Sequence, residues 1–170
     1  MLVQLCPHPD TPCVALSAIA VEVERDGPLL RLRYRAIGRI ADVLVPAPAY
    51  PERADELWKH TCFEAFVRGG GEDYCEFNLS PSSRWAGYAF DGYRAGMRAL
   101  QIGAISIETE ADEDWYELAA TVPPAESGRW RVALTAVIEE TNGTKSYWAL
   151  KHPPGKPDFH HADGFALELA

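Results

Sequence analysis

ELWKHTCFEAFVRGGGEDYCEFNLSPSSRWAGYAFDGYRAGM, residues Glu56 to Met97, holds the two runs on which the reading of the fold turns. In Thr61 to Arg68, Phe63, Ala65 and Val67 alternate with Cys62, Glu64, Phe66 and Arg68, so one face suits a core and the other carries charge. In Tyr74 to Ser80, Cys75, Phe77 and Leu79 alternate in the same way with Tyr74, Glu76, Asn78 and Ser80. With Gly69 to Asp73 as a five-residue hairpin loop, the two apolar rows join one core, and Glu64 and Glu76 share the opposite surface. Two carboxylates, an amide and nearby aromatic rings on one surface suit a polar ligand.

Outward from this stretch, strand patterns recur. After a proline-broken, irregular lead over residues 1–13, Val14 to Arg25 and Leu29 to Ala36 flank an Asp26-Gly27 turn. Leu30, Leu32 and Tyr34 alternate with Arg31, Arg33 and Arg35, which predicts a half-exposed strand with a solvated arginine face. Ile40 to Val45 reads as another short strand. A proline-rich connection follows, with one helical turn at Arg53 to Leu57. Trp85 to Phe90 is a further strand, and Tyr93 to Met97 a short turn of helix in which Arg94 anchors the segment to a backbone carbonyl. Leu100 to Glu108 pairs with Trp115 to Val122 across an acidic loop.

Trp130 to Glu140 and Lys145 to Lys151 flank Asn142-Gly143, the strongest short hairpin signal in the chain. A two-residue loop there sets Ile138 opposite Tyr147 and Val137 opposite Trp148. The row Trp130, Val132, Leu134, Ala136 and Ile138 is then core, and Trp148 falls on the other face with Thr135, Glu139, Ser146 and His152. The loop HPPGKPDFHHADG leads to a last strand, Phe165 to Leu169. Ten or eleven short strands with almost no helical periodicity predict an all-β, antiparallel β-sandwich of two sheets in a single domain spanning residues 1–170.

Composition narrows the function. With 170 residues the chain can bury a sizeable core without staples. A formal charge of −9 and only four lysines argue against a nucleic-acid partner, which requires a basic patch. The first residues, MLVQLCPHPD, lack the basic start and apolar run of a signal peptide, and no run is long enough to span a membrane. A cytoplasmic location, no membrane partner and free thiols at Cys6, Cys13, Cys62 and Cys75 are the expectation.

At Trp58 to Phe66, Tyr74 to Pro81 and Trp85 to Arg94 the sequence resembles the DOMON-like superfamily, and within it the bacterial branch similar to family 9 carbohydrate-binding modules. Ser146-Tyr147-Trp148-Ala149-Leu150 and Pro157-Asp158-Phe159-His160-His161 extend the resemblance, which runs from about Val14 through most of the chain. The resemblance implies a sandwich that binds a sugar, or in other branches a haem, without catalysis of its own. It carries a ligand role to Glu64 and Glu76, and further to Asn78 and Trp148 as the stacking platform. Trp58 and His152 complete the candidate ligand-binding set.

Other chemistries have less behind them. As a glycosidase pair, Glu64 and Glu76 would need a suitable separation and unequal pKa values, so no enzyme activity is expected. No cofactor is expected either. Calcium on the two glutamates, or haem held by histidine and Met97 without a CxxCH motif, are the alternatives. His60, His152, His160, His161 and Cys62 match no zinc spacing.

Overall fold

In the computed structural model, which describes residues 1–170, burial alternates along Leu16–Asp26, Leu29–Gly38 and Trp115–Val122, whereas Cys62–Arg68, Tyr74–Leu79, Trp85–Phe90 and most of Trp130–Glu139 are buried on both faces. Twelve strands form: β1 (Leu2–Pro7), β2 (Leu16–Asp26), β3 (Leu29–Gly38), β4 (Cys62–Arg68), β5 (Tyr74–Leu79), β6 (Trp85–Phe90), β7 (Arg98–Ala99), β8 (Ile107–Ala111), β9 (Trp115–Val122), β10 (Trp130–Glu139), β11 (Lys145–Ala149) and β12 (Leu167–Leu169). Three short 3-10 turns, at Ile40–Asp42, Leu57–Lys59 and Ala162–Gly164, are the only helical pieces. No helix is long and apolar enough to cross a membrane.

The chain is all-β and antiparallel as expected, but the strands are not divided between two separate sheets. They follow one hydrogen-bonded path, β7-β6-β5-β4-β10-β11-β1-β2-β3-β9-β8, with β12 on the edge of β10. The link is β1, which pairs through Leu2 to Leu5 with β2 and through Cys6 and Pro7 with β11. Of the lead over residues 1–13, expected to be irregular, Leu2–Pro7 is therefore a strand and only the remainder is irregular. Only Leu5 of β1 is buried, so no apolar row announces the strand.

The sheet curls until its two halves face each other. The Tyr34 hydroxyl on β3 donates to the Glu64 carbonyl on β4 at 2.7 Å. The Phe63 ring also stacks parallel to that of Tyr116 from β9. The alternation read from the sequence fills this interior, with Phe63, Ala65 and Val67 of β4 against Cys75, Phe77 and Leu79 of β5, and Leu30, Leu32 and Tyr34 of β3 across from them. Arg31, Arg33 and Arg35 lie on the outer face, where Arg33 and Arg35 share Glu117.

Three local expectations are corrected. Ile40–Asp42 is a 3-10 turn where a strand was expected, and the strand expected over Leu100 to Glu108 forms later, as β8. Tyr93 to Met97 is a tight turn closed by a Gly92–Ala95 bridge, with Arg94 at φ 51°.

The fourth correction is a matter of register. Glu139 pairs with Lys145, Val137 with Tyr147 and Ala136 with Trp148. The loop holds three residues, Thr141 to Gly143, closed by Gly143 N–H to the Glu140 carbonyl at 2.8 Å and Glu140 N–H to the Thr144 carbonyl at 2.8 Å. Gly143 takes the left-handed conformation at φ 86°, which gives a three-residue loop where two residues were expected. A slip of one residue moves every side chain of β11 to the other face. Trp148 goes into the core, 2% exposed, and its indole N–H donates to the Ser146 hydroxyl at 3.0 Å. Tyr147 takes the outward place.

The outer face of β4, β5 and β6 is not a solvated surface. Phe66, Tyr74, Ala86, Tyr88, Phe90 and Ala133 form a second apolar cluster with Phe165. The loop leading to β12 closes over it and packs the His160 ring against Phe66 and Phe90, both at 5.2 Å between ring centres.

Candidate ligand-binding site

Between that loop and the strands lies a cavity of about 370 Å³. Its floor is Glu64 from β4 and Glu76 from β5. Aromatic rings of Trp58, Phe90, Tyr147 and Phe159 stand around them, with Arg94, Met97 and His160 completing the wall. The two glutamates are diagonal neighbours, since Glu64 pairs with Asn78 and Glu76 with Phe66.

Both carboxylates are buried, Glu64 to 2% and Glu76 to 5% exposure. Thr135 donates to one Glu64 oxygen at 3.4 Å, and the other, Oε1, is buried without a hydrogen-bond partner. Asn78 donates to Glu76 at 2.9 Å and keeps its own carbonyl oxygen unpartnered. Burial, reinforced by the neighbouring Glu76, pushes Glu64 well above the ordinary carboxylate range. Burial also lifts Glu76, to about 7, against the pull of the Asn78 hydrogen bond and the Arg94 charge. Unpartnered buried acceptors are rare in folded chains because each costs about 1–3 kcal/mol, so their clustering beside a cavity points to a ligand.

The rest of the wall is braced from the turn and the loop. Arg94 donates to Asp158 at 2.9 Å, and Tyr93 donates to the other oxygen of that carboxylate at 2.6 Å. The Arg94 backbone N–H donates to the Tyr74 hydroxyl at 3.3 Å, and that hydroxyl is hydrogen-bonded to His160 Nδ1 at 2.7 Å. The other ring nitrogen, Nε2, lies 3.8 Å from Glu76. Burial first, and the Arg94 charge second, lower His160 to about 4, so near neutral pH this contact is polar and not ionic. Two of the three non-glycine residues with positive φ flank the site: Arg94, and Glu56 at the start of the 3-10 turn that carries Trp58. Such strain gathers where a surrounding structure must hold side chains in fixed positions.

The six residues proposed from the sequence separate. Glu64, Glu76 and Trp58 line one cavity, and Asn78 lies fully buried beside them. Trp148 is excluded from it by the hairpin register. His152 lies outside the lining, with Nε2 2.8 Å from the Cys6 carbonyl and its ring edge-on to His8. Tyr147, Phe90, Phe159, His160 and Met97 were missed as wall residues. Only Tyr147 had a local signal, because a three-residue loop at Asn142-Gly143 would have placed it there. Arg94 anchors its segment through the Asp158 carboxylate, where a backbone carbonyl was expected.

Haem fits these residues poorly. An apolar macrocycle in this cavity would bury Glu64 and Glu76 against it uncompensated, and Met97 is a half-exposed rim residue. No group of three or more His, Cys, Asp or Glu side chains is placed to hold a metal ion, and two carboxylates alone fall short of the six to eight oxygens calcium takes.

No protein-family model matches the sequence, and no curated protein matches it. Solved structures do. A candidate carbohydrate-binding protein from Bacteroides uniformis superposes with a TM-score of 0.71 at 14% identity, over 96% of this chain and 83% of that one. A family 9 carbohydrate-binding module from Caldicellulosiruptor kristjanssonii, solved with cellotriose, gives a TM-score of 0.51 at 8% identity, over 90% and 75%. The curled antiparallel sheet of this chain is thus a fold it shares with family 9 carbohydrate-binding modules.

Proposed function

We propose that the chain is a non-catalytic binding domain for a carbohydrate, seated in the cavity over Glu64 and Glu76. The observation that carries this reading is the pairing of unsatisfied buried acceptors on the cavity floor with a partly exposed tryptophan at its mouth. Hydroxyl groups of a sugar would donate to Glu64 and Glu76, and the apolar face of the ring would lie against Trp58. At about 370 Å³ the cavity is at the small end of ligand sites, which favours a mono- or disaccharide, or the end of a longer chain. The shared fold supports the same reading.

Calorimetric titration with a panel of mono- and disaccharides tests it. Saturable binding is expected, weakened at least about tenfold by Trp58→Ala. A panel without any response would overturn the proposal. Hydrolysis of chromogenic glycosides that is abolished in both Glu64→Gln and Glu76→Gln would overturn its non-catalytic part.

A further inference from the structure

We propose that the group seated on Glu64 and Glu76 is an ammonium, so that the saccharide taken by this cavity is an amino sugar with a free amine. The inference rests on the carbohydrate reading for the remainder of the ligand, and on the charge balance of the cavity for the amine.

The wall holds one permanent cation, Arg94, and Asp158 already matches it at 2.9 Å. His160 is not seated on the glutamates, since its Nε2 stays 3.8 Å from Glu76, and burial beside Arg94 keeps its ring neutral near pH 7. Glu64 and Glu76 therefore have no counter-ion of their own. The donors nearest them are already engaged: the Thr135 hydroxyl points to Glu64 Oε2 and the Asn78 amide to Glu76 Oε1. Once both carboxyls are ionised, what remains on the floor is acceptor only, headed by the unpartnered Oε1 of a glutamate 2% exposed. A hydroxyl would bring one donor and no charge. An ammonium brings three donors and the missing charge, and it would sit among rings of Trp58, Phe90, Tyr147 and Phe159, whose faces attract cations.

Without ligand, protons do the neutralising. Burial holds Tyr74, Tyr88 and Cys62 protonated and Arg94 stays charged. Glu139, farther along β10, is engaged with His60 at 2.7 Å. Protons displaced by an incoming ammonium thus come from Glu64 and Glu76, whose affinities for them are raised.

The experiment is calorimetry of the whole chain at pH 6.5 with glucosamine, glucose, N-acetylglucosamine and methylammonium, each in two buffers of different protonation enthalpy. Glucosamine is expected to bind about tenfold or more tightly than glucose or N-acetylglucosamine and to release protons. Glu64→Gln and Glu76→Gln, both near-isosteric, should each reduce that preference. Equal affinity for the three sugars overturns the amine seat and leaves the carbohydrate reading standing. Saturation by methylammonium with no response to any sugar sustains the amine seat and overturns the carbohydrate reading. A glucosamine preference unchanged in both variants overturns the placement on these glutamates.

Discussion

Glu76 is the residue whose titration speaks most directly about the site. Its carboxyl is raised to about 7 in the folded chain, against about 4.3 when unfolded. An acid raised on folding stabilises the fold below its unfolded pKa, and that contribution is lost as pH rises through the folded value. The loss falls between about pH 4.3 and 7 and is on the order of 3 kcal/mol. His160, lowered to about 4, runs the other way: its contribution is present above about 6.5 and is lost as pH falls toward 4. The two slopes oppose each other over much of this window, so the native profile alone conceals both. Denaturant unfolding of Glu76→Gln is expected to show a stability advantage over the native chain that grows from pH 4.5 to 7. A constant difference would mean that Glu76 titrates as an exposed carboxylate does.

At the scale of the element, the β10–β11 hairpin decides which tryptophan belongs to the core. Trp148→Ala is expected to cost about 3–5 kcal/mol, because Trp148 is packed in the main core. Trp58→Ala should change stability by no more than about 0.5 kcal/mol while weakening sugar binding. Chemical denaturation of the two variants separates these outcomes. Gly143→Val should destabilise by about 1–2 kcal/mol, since valine is strained at φ 86°. The same hairpin marks the limit of what the sequence disclosed. The rows of β3, β4, β5 and β10 were legible because alternation with a buried face fixes which residues point inward. Asn142-Gly143 identified the turn but not whether two or three residues close it, and that single residue reassigned Trp148 and Tyr147. Glu64 and Glu76 were legible as a pair, whereas their burial depends on a loop whose prolines and histidines carry no periodicity.

For the whole molecule, β1 joins the two halves of the curled sheet. Substituting Leu5, its one buried side chain, with Asp places a charge in the core and should cost several kcal/mol, read as a lowered midpoint of thermal unfolding. The acidity of the chain, −9 overall, extends into the cavity as two carboxyl groups with no paired cation, and it favours a ligand that brings donors and positive charge in place of their protons. Which face of the fold meets the ligand can be read from the five tryptophan indole N–H groups, each a separate resonance once assigned by Trp→Phe substitution. The chain is titrated with glucose and with glucosamine while these five signals are followed. The indole of Trp58 is expected to move and saturate with the ligand while those of Trp115, Trp130 and Trp148 stay in place. Saturable movement of Trp115 or Trp148 with Trp58 unmoved would contradict a site on the outer face of β4 and β5.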